Sequence, residues 1–311
     1  MKHKKVAILN ISSLEGETFK NFLMDNPLSG IDFFYFQDKE TIFTRSQEGV
    51  SLILEEKTEY LLDFPLIIDF KKDRKEKHKL DGFVIYSGIP EKEKMVFYGI
   101  NHKDSFSQPY IYTPHPLICL LLRFFESFRR IPPKMVFCNT ILSTSEEGKE
   151  GQDELYNQTI SLLNLSSFKK KIYKNQIAFN ISTISDQNFQ NKMEEEINYF
   201  FSSSFPIKIQ FVKSGIFFGA LLFLNILFSS EKEKKSFIEI ISKNDAFEFS
   251  SKTEGVVEAV QQGKIFVKIK DGEDLNCLSM IVLADPLYSG MSYNLYNLID
   301  EFFKINNVLK Y

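Results

Sequence analysis

Few side chains in this sequence combine type and spacing in a way that could do covalent chemistry. Cys119, Cys138 and Cys277 lie far apart with no C-x-x-C pair, so neither a disulfide framework nor a metal site is expected. A cysteine nucleophile needs a depressed thiol pKa, and Cys119 sits in the apolar run LICLLL, where a packed core thiol is the reading. His115 stands between Pro114 and Pro116; an imidazole can act as nucleophile or base, but a lone one before an apolar helix reads as an exposed or capping residue. The stretch ILNISSLEG, Ile8 to Gly16, has the outline of a strand-turn-helix that would cradle a phosphate against helix N-terminal amides. Asn10, Ser12 and Ser13 occupy that turn ahead of Gly16, and their Cβ groups narrow the approach. Glu15 adds a negative charge where phosphates would sit. Ser12 or Ser13 is therefore expected to cap the helix, with Glu15 and Glu17 in its first turn.

The elements that must position these residues follow from periodicity. KVAILNI is a short apolar strand, and GETFKNFLMDN places Phe19, Phe22 and Leu23 at helical spacing. IDFFYFQ, DFPLIIDF and DGFVIYSG read as further strands, giving an alternating pattern that predicts a parallel sheet in the first third. LICLLLRFFESFRR is an apolar helix with arginines at its C-terminal end. PPKMVFCNTILS, QIAFNISTI, IKIQFVKSGIFFGALLFLNILF and GKIFVKIK are expected to supply long strands of a mixed sheet, accompanied by the helices GQDELYNQTISLLNL and NFQNKMEEEINYFFSS. SYNLYNLIDEFFKI closes the chain as an amphipathic helix.

Bulk composition excludes several classes. With 311 residues and 43% hydrophobic content, the chain can bury one large or two ordinary cores. A net charge of -3 draws it neither to nucleic acid nor to an acidic membrane. The basic run KKDRKEKHK, Lys71 to Lys79, is interrupted by acids and reads as a solvated segment. The N-terminal apolar stretch is too short for a signal peptide. GIFFGALLFLNILF falls short of the roughly 20 residues that span a bilayer and is expected as a buried sheet strand. A reducing, cytoplasmic setting fits the unpaired cysteines.

Three stretches together carry a resemblance: KVAILNISSLEG (Lys5 to Gly16), STSEEGKEGQDELYNQT (Ser143 to Thr159) and NQIAFNIS (Asn175 to Ser182). In order along the chain they resemble the motifs of the aspartate-semialdehyde dehydrogenase family, within the semialdehyde dehydrogenase superfamily, and more loosely those of the related N-acetyl-glutamyl-phosphate reductases. The resemblance implies an α/β protein: a Rossmann-like NAD(P)-binding domain over residues 1–112, an α+β dimerisation domain with a large mixed sheet over 113–288, and a C-terminal helix, 289–311, returning to the first domain. It also implies a cysteine thiolate that attacks an aldehyde, hydride transfer to NADP, and phosphate release of the acyl group.

The chemistry-bearing positions depart from that pattern. Laid on the family's N-P-N-C-S-T segment, Thr113 to Ile118 retain only Pro114, and Pro116 stands at the nucleophile. Proline in a first helical turn is structurally comfortable and has no nucleophilic group. On the arginine-to-histidine segment, Lys213 falls on the substrate-carboxylate arginine and Ala220 on the general base, with Phe218 and Leu221 replacing polar neighbours. Leu142 falls on the substrate-orienting glutamine and Glu146 on a glycine. Gly148, Gly151, Glu154, Leu155 and Thr159 agree with the family's helix, and Gln176 to Asn180 with what reads as a core strand. In the cofactor loop, Asn10 and Ser13 replace glycines, Ser12 a threonine and Glu15 a valine, while Gly16 is kept; near the C-terminus Asp285, Gly290 and Asn294 match the closing motif.

The resemblance therefore implies a divergent homologue without the catalytic Cys and His, inactive, with a binding or regulatory role as a homodimer or as a heterodimer with an active relative. No cofactor is expected, with NADP the one implied if nucleotide binding is retained at Asn10, Ser12, Ser13, Gly16 and Gly290. Neither nucleic acid nor membrane is expected as a partner. The apolar Phe217, Phe218 and Leu142 are expected to fill the cleft where Lys213, His115 and Ser143 would otherwise converge. The competing readings are an active NAD(P)-dependent oxidoreductase with an altered substrate and site, and a purely structural interaction module.

Overall fold

The computed structural model describes residues 4–37, 42–46, 49–71, 82–87, 92–183, 187–201, 205–249, 255–270 and 276–308. The basic run expected as a solvated segment lies, beyond Lys71, outside these residues. The chain forms two units, one of Met1–Cys119 with Met291–Tyr311 and one of Leu120–Gly290.

The first unit begins with β1 (Lys4–Leu9), α1 (Leu14–Asp25) and β2 (Ile31–Gln37). It continues through β3 (Ile42–Ser46), β4 (Gly49–Glu55), α2 (Thr58–Leu61), β5 (Leu66–Asp69), β6 (Phe83–Tyr86) and β7 (Tyr110–Tyr112). These strands form one sheet in the order β3-β4-β2-β1-β5-β6-β7. All its pairings are parallel except the β3–β4 hairpin. Val6, Ala7, Ile8, Leu66, Ile67 and Ile68 are all fully buried, as central parallel strands covered on both faces require. α1 starts where expected: Ser13 is extended at φ -66° and its hydroxyl accepts from the Gly16 amide at 3.0 Å, with Glu15 and Glu17 in the first turn. Phe19, Phe22 and Leu23 are its buried face.

From β7 the chain enters α3 (Pro116–Phe125). The second unit is built on β8 (Met135–Leu142), α4 (Gly148–Leu163), β9 (Ile181–Thr183), α5 (Gln187–Phe201), β10 (Ile207–Ser214) and β11 (Ala220–Leu227). α6 (Glu231–Ser242), β12 (Phe247–Glu248), α7 (Val256–Gln262), β13 (Ile265–Lys270) and β14 (Cys277–Ala284) complete it. Its sheet runs β12-β13-β14-β11-β8-β10-β9 and is mixed: β8 pairs parallel with β10 and antiparallel with β11. Alternation is strict in its centre, with Leu222, Leu224 and Ile226 buried while Phe223 and Leu227 on the opposite face stay 39% and 40% exposed. A π-helical turn, Pro286–Ser292, leads into α8 (Tyr293–Val308). Within the first unit Phe302 of α8 stacks on Phe83, and Tyr296 meets Phe22 edge-on.

The α/β class with a parallel sheet followed by a mixed one is as expected. Two strand assignments are corrected. Residues Gln176–Asn180 are not a strand: they form a turn with Phe179 at φ 56°, and only Ile181–Thr183 pairs, at the sheet edge. The apolar run from Gly215 is broken by its glycines. A Cβ at Gly215 would lie 2.4 Å from the Ile177 carbonyl oxygen, and Gly219 takes φ +85° against Val256, so β11 starts at Ala220 and covers one face of its sheet only.

Candidate functional site

The end of the mixed sheet brings together residues that are far apart in sequence. Register places Lys213 of β10 opposite Leu142 of β8, Leu142 opposite Ala220 of β11, and Ala220 opposite Ala284 of β14. Directly paired residues project to the same side of a sheet, so these four form one row. Leu142, Ala220 and Ala284 are buried. The row holds one cation and no imidazole, thiol or carboxamide.

Lys213 is answered from outside the sheet. Its Nζ contacts Glu147 Oε1, and the second oxygen of that carboxylate accepts from Tyr173 Oη at 2.7 Å. The ammonium also lies 5.8 Å from the centre of the Tyr173 ring, within cation-π range. Burial lowers the Lys213 pKa to about 8, while the charge of Glu146 acts in the opposite direction; the contact with Glu147 likewise favours the charged form. Burial also raises the Tyr173 phenol, reinforced by Glu154 and Glu146.

Tyr173 sits in a loop that α4 organises. The Glu154 carboxylate accepts from the Lys171 and Tyr173 amides at 2.8 and 3.3 Å and from Gln158 Nε2 at 2.9 Å; Gln158 Oε1 accepts from the Ile177 and Ala178 amides. Glu154 thus serves as a loop anchor, and the buried apolar pair Ile177 and Ala178 packs on Leu155. Gly151 is required here because a Cβ would lie 2.7 Å from the Thr144 carbonyl oxygen. Ser143, Thr144 and Ser145 are buried: the Ser143 and Ser145 hydroxyls lie 2.8 Å apart, and Thr144 donates from both its amide and its hydroxyl to the Ile216 carbonyl. Phe217 and Phe218 are 41% and 39% exposed, whereas Leu142, the third of the apolar residues expected at the cleft, is buried in register with Ala220.

In the first unit, Pro116 is the first residue of α3, where its missing N–H costs nothing. His115 precedes it, and its carbonyl accepts from the Cys119 amide at 2.9 Å. Cys119 is fully buried, with its thiol donating to the Pro114 carbonyl at 3.3 Å. Cys138 in the second unit is equally buried, and burial raises its pKa to about 12. Asn294, from the closing motif, is a structural junction: Nδ2 donates to Thr113 Oγ1 and the Val96 carbonyl at 3.0 Å each, and Oδ1 accepts from the Tyr98 amide at 2.8 Å.

The β1–α1 turn is likewise satisfied from within. Asn10 takes a left-handed φ of 56°. The Gln37 carboxamide, at the end of β2, accepts from the Ser12 amide at 3.1 Å and donates to Asn10 Oδ1 at 3.3 Å. The Ser13 hydroxyl caps α1. A Cβ on Gly16 would lie 2.8 Å from the Ile11 carbonyl oxygen, so this glycine is retained for close packing of helix on turn. One turn amide, that of Ser12, is thus taken by Gln37, and Asn10 carries a hydrogen-bonded side chain in the same turn. Gly290 is buried in the π-helical turn, whose first peptide follows Asp285. That carboxylate accepts from the Leu287 amide at 3.0 Å, and burial raises it to about 6 against the bonds from the Leu287 and Tyr288 amides.

Several of these contacts escaped the sequence reading. Glu147, Tyr173 and Gln37 gave no signal of these contacts, because only the fold brings them to their partners.

No protein-family model matches the chain. Among curated proteins it is 29% identical over 185 residues to an aspartate-semialdehyde dehydrogenase of Rickettsia bellii, covering 55% of each chain. It is 30% identical over 190 residues to that of Rickettsia conorii, covering 57% of this chain and 56% of that one. The matched region thus spans about half the length of these relatives. Among solved structures, a probable aspartate-semialdehyde dehydrogenase from Pseudomonas aeruginosa superposes with a TM-score of 0.82 at 18% identity, over 96% of this chain and 98% of that one. Aspartate semialdehyde dehydrogenase II from Vibrio cholerae, complexed with ASA, gives 0.83 at 18% identity over 97% and 98%. The chain has the aspartate-semialdehyde dehydrogenase fold. The dehydrogenase resemblance drawn from the three sequence stretches is thereby supported by both sequence and structural relatives. Among the described residues, no group of His, Cys, Asp and Glu is placed to hold a metal ion, and no helix is long and apolar enough to cross a membrane.

Proposed function

We propose that the chain is a catalytically inactive relative of the aspartate-semialdehyde dehydrogenases with a binding or regulatory role. The observation that carries this reading is the row at the end of the mixed sheet. The positions that resemble the family's glutamine and general base are the buried Leu142 and Ala220, side by side, and Pro116 occupies the nucleophile position at the start of a helix. Loss of a nucleophile and of its base act on the same step, so neither compensates for the other. Cys119 offers no replacement, because its thiol is buried and engaged with a carbonyl.

No nicotinamide cofactor is part of this reading. NADP is the nucleotide the fold implies, and the contact between Gln37 and the Ser12 amide argues against it. The protein acts as a homodimer, or as a heterodimer with an active relative, in the cytoplasm. Support for a dimer comes from the uncovered apolar face of the mixed sheet, where Phe137, Phe223 and Leu227 are each 39–46% exposed; clusters of such residues mark association surfaces.

The test is turnover and nucleotide binding in the purified chain. With aspartate semialdehyde, phosphate and NADP, no reduction of NADP is expected, and thermal-shift titration with NAD or NADP is expected to leave the melting temperature unchanged. Robust turnover abolished by Cys119→Ser would overturn the reading.

A further inference from the structure

The contact between Lys213 and Glu147 is more than a surface ion pair, because three segments converge to make it. Thr144 and Gln152 flank Glu147 in sequence, and both are tied to the residues just after β10: Thr144 to the Ile216 carbonyl and Gln152 Nε2 to the Phe217 carbonyl at 2.9 Å. Gly148, at φ +68° with open space where a Cβ would stand, turns the chain sharply between the Glu147 carboxylate and α4. Tyr173 then takes the second oxygen from a loop fixed on Glu154. The side chains of Lys213 and Glu147 are 12% and 26% exposed, so the pair is largely withdrawn from water. A carboxylate with one oxygen on an ammonium and the other on a phenol is bound as a small carboxylate ligand would be.

We propose that Glu147 is a built-in occupant of an anion site: Lys213 is held shut by the chain's own carboxylate, and release of the turn at Gly148 hands it to a small external carboxylate. This rests on the resemblance that places Lys213 at a substrate-carboxylate position, and it adds that the position is occupied by the chain's own Glu147 carboxylate. A ligand must displace Glu147 to bind, so its apparent affinity is reduced by the fraction of molecules in which Lys213 is free.

The experiment measures binding of sodium succinate to the full chain by calorimetry and by ligand-observed NMR. Glu147→Ala is expected to bind succinate at least about tenfold more tightly than the unaltered chain, and Glu147→Ala combined with Lys213→Met is expected to lose that gain. An affinity unchanged by Glu147→Ala in a folded protein, or a gain that survives Lys213→Met, would sink the proposal. Should Glu147→Ala fail to fold, Glu147→Gln keeps the shape without the charge and must show a gain of the same sign. On the unaltered chain, amine acylation read by mass spectrometry is expected to label Lys213 at least about tenfold more slowly than the exposed Lys235; equal rates would show that the site is open. Because binding and labelling are read rather than turnover, an unaltered chain that reduced NADP would remove the inactive reading without deciding the role of Glu147.

Discussion

The β1–α1 turn of the first unit and the row at the end of the mixed sheet in the second are both satisfied from within, but by different physics. At the turn the internal partners are neutral: the Gln37 carboxamide on the Ser12 amide and on Asn10, and the Ser13 hydroxyl on Gly16. Neutral bonds of this kind contribute about 0.5–1.5 kcal/mol net. In the row, the internal partners are apolar neighbours in full register and an ion pair withdrawn from water. Removing one member of a fully buried pair costs about 3–5 kcal/mol, less where the carboxylate retains solvent contact as Glu147 does. The turn is therefore lightly latched, and the row is rebuilt.

The largest effect is expected where chemistry is put back into the row. Ala220→His would insert an imidazole between Leu142 and Ala284 at a fully buried position. Overpacking together with an unpartnered polar ring is expected to cost on the order of 3 kcal/mol, seen as a lower urea midpoint with an unchanged slope. A variant as stable as the parent would show that the row has room for a base, and would remove the contrast with the turn.

Asp285 sharpens the comparison from beside the row. Unlike Glu147, this buried carboxylate is held by backbone amides, and its pKa is raised from 3.8 to about 6. The folded state then binds more protons than the unfolded state between these values, so stability is fully present below about pH 3.8 and is lost as pH rises through about 6. A rise from 3.8 to about 6 corresponds to about 3 kcal/mol as an upper figure. Chemical denaturation of the parent and of Asp285→Asn across pH 4–7 should show the parent losing stability relative to the variant over that window. Parallel curves would mean that Asp285 is charged without cost.

The smallest effect belongs to the latch. Gln37→Ala is expected to lower stability by about 1 kcal/mol and to free the Ser12 amide. A thermal-shift titration with NADP on this variant then separates two forms of loss. Saturable stabilisation in Gln37→Ala and none in the parent would mark a turn that is closed but intact, whereas no response in either is expected if Asn10 and Glu15 have themselves closed it.

Much of the fold was legible in the residues. The Ser13 cap, the acids after it and the spacing of Phe19, Phe22 and Leu23 predicted α1, because helix capping and amphipathicity are local properties. Apolar β-branched runs marked β1, β5 and β6 for the same reason. The turn at Gln176–Asn180 was misread as a strand, since its apolar residues pack on Leu155 of α4 rather than on a sheet. The Gly215–Gly219 break was also missed. There the backbone of Ile177, distant in sequence, comes so close that a Cβ on Gly215 would stand 2.4 Å from its carbonyl oxygen, and Gly219 takes φ +85°.

By itself the sequence determined which chemical groups its side chains carry. Pro116, Leu142 and Ala220 carry no nucleophile, carboxamide or base, and no fold can supply atoms that the side chains lack. The tertiary structure decided what the remaining groups do. Only strand register puts Lys213, Leu142 and Ala220 in one row, and only the packing of three distant segments sets Glu147 and Tyr173 on Lys213. Composition is a property of single residues, whereas partnership depends on distances that the chain acquires when it folds.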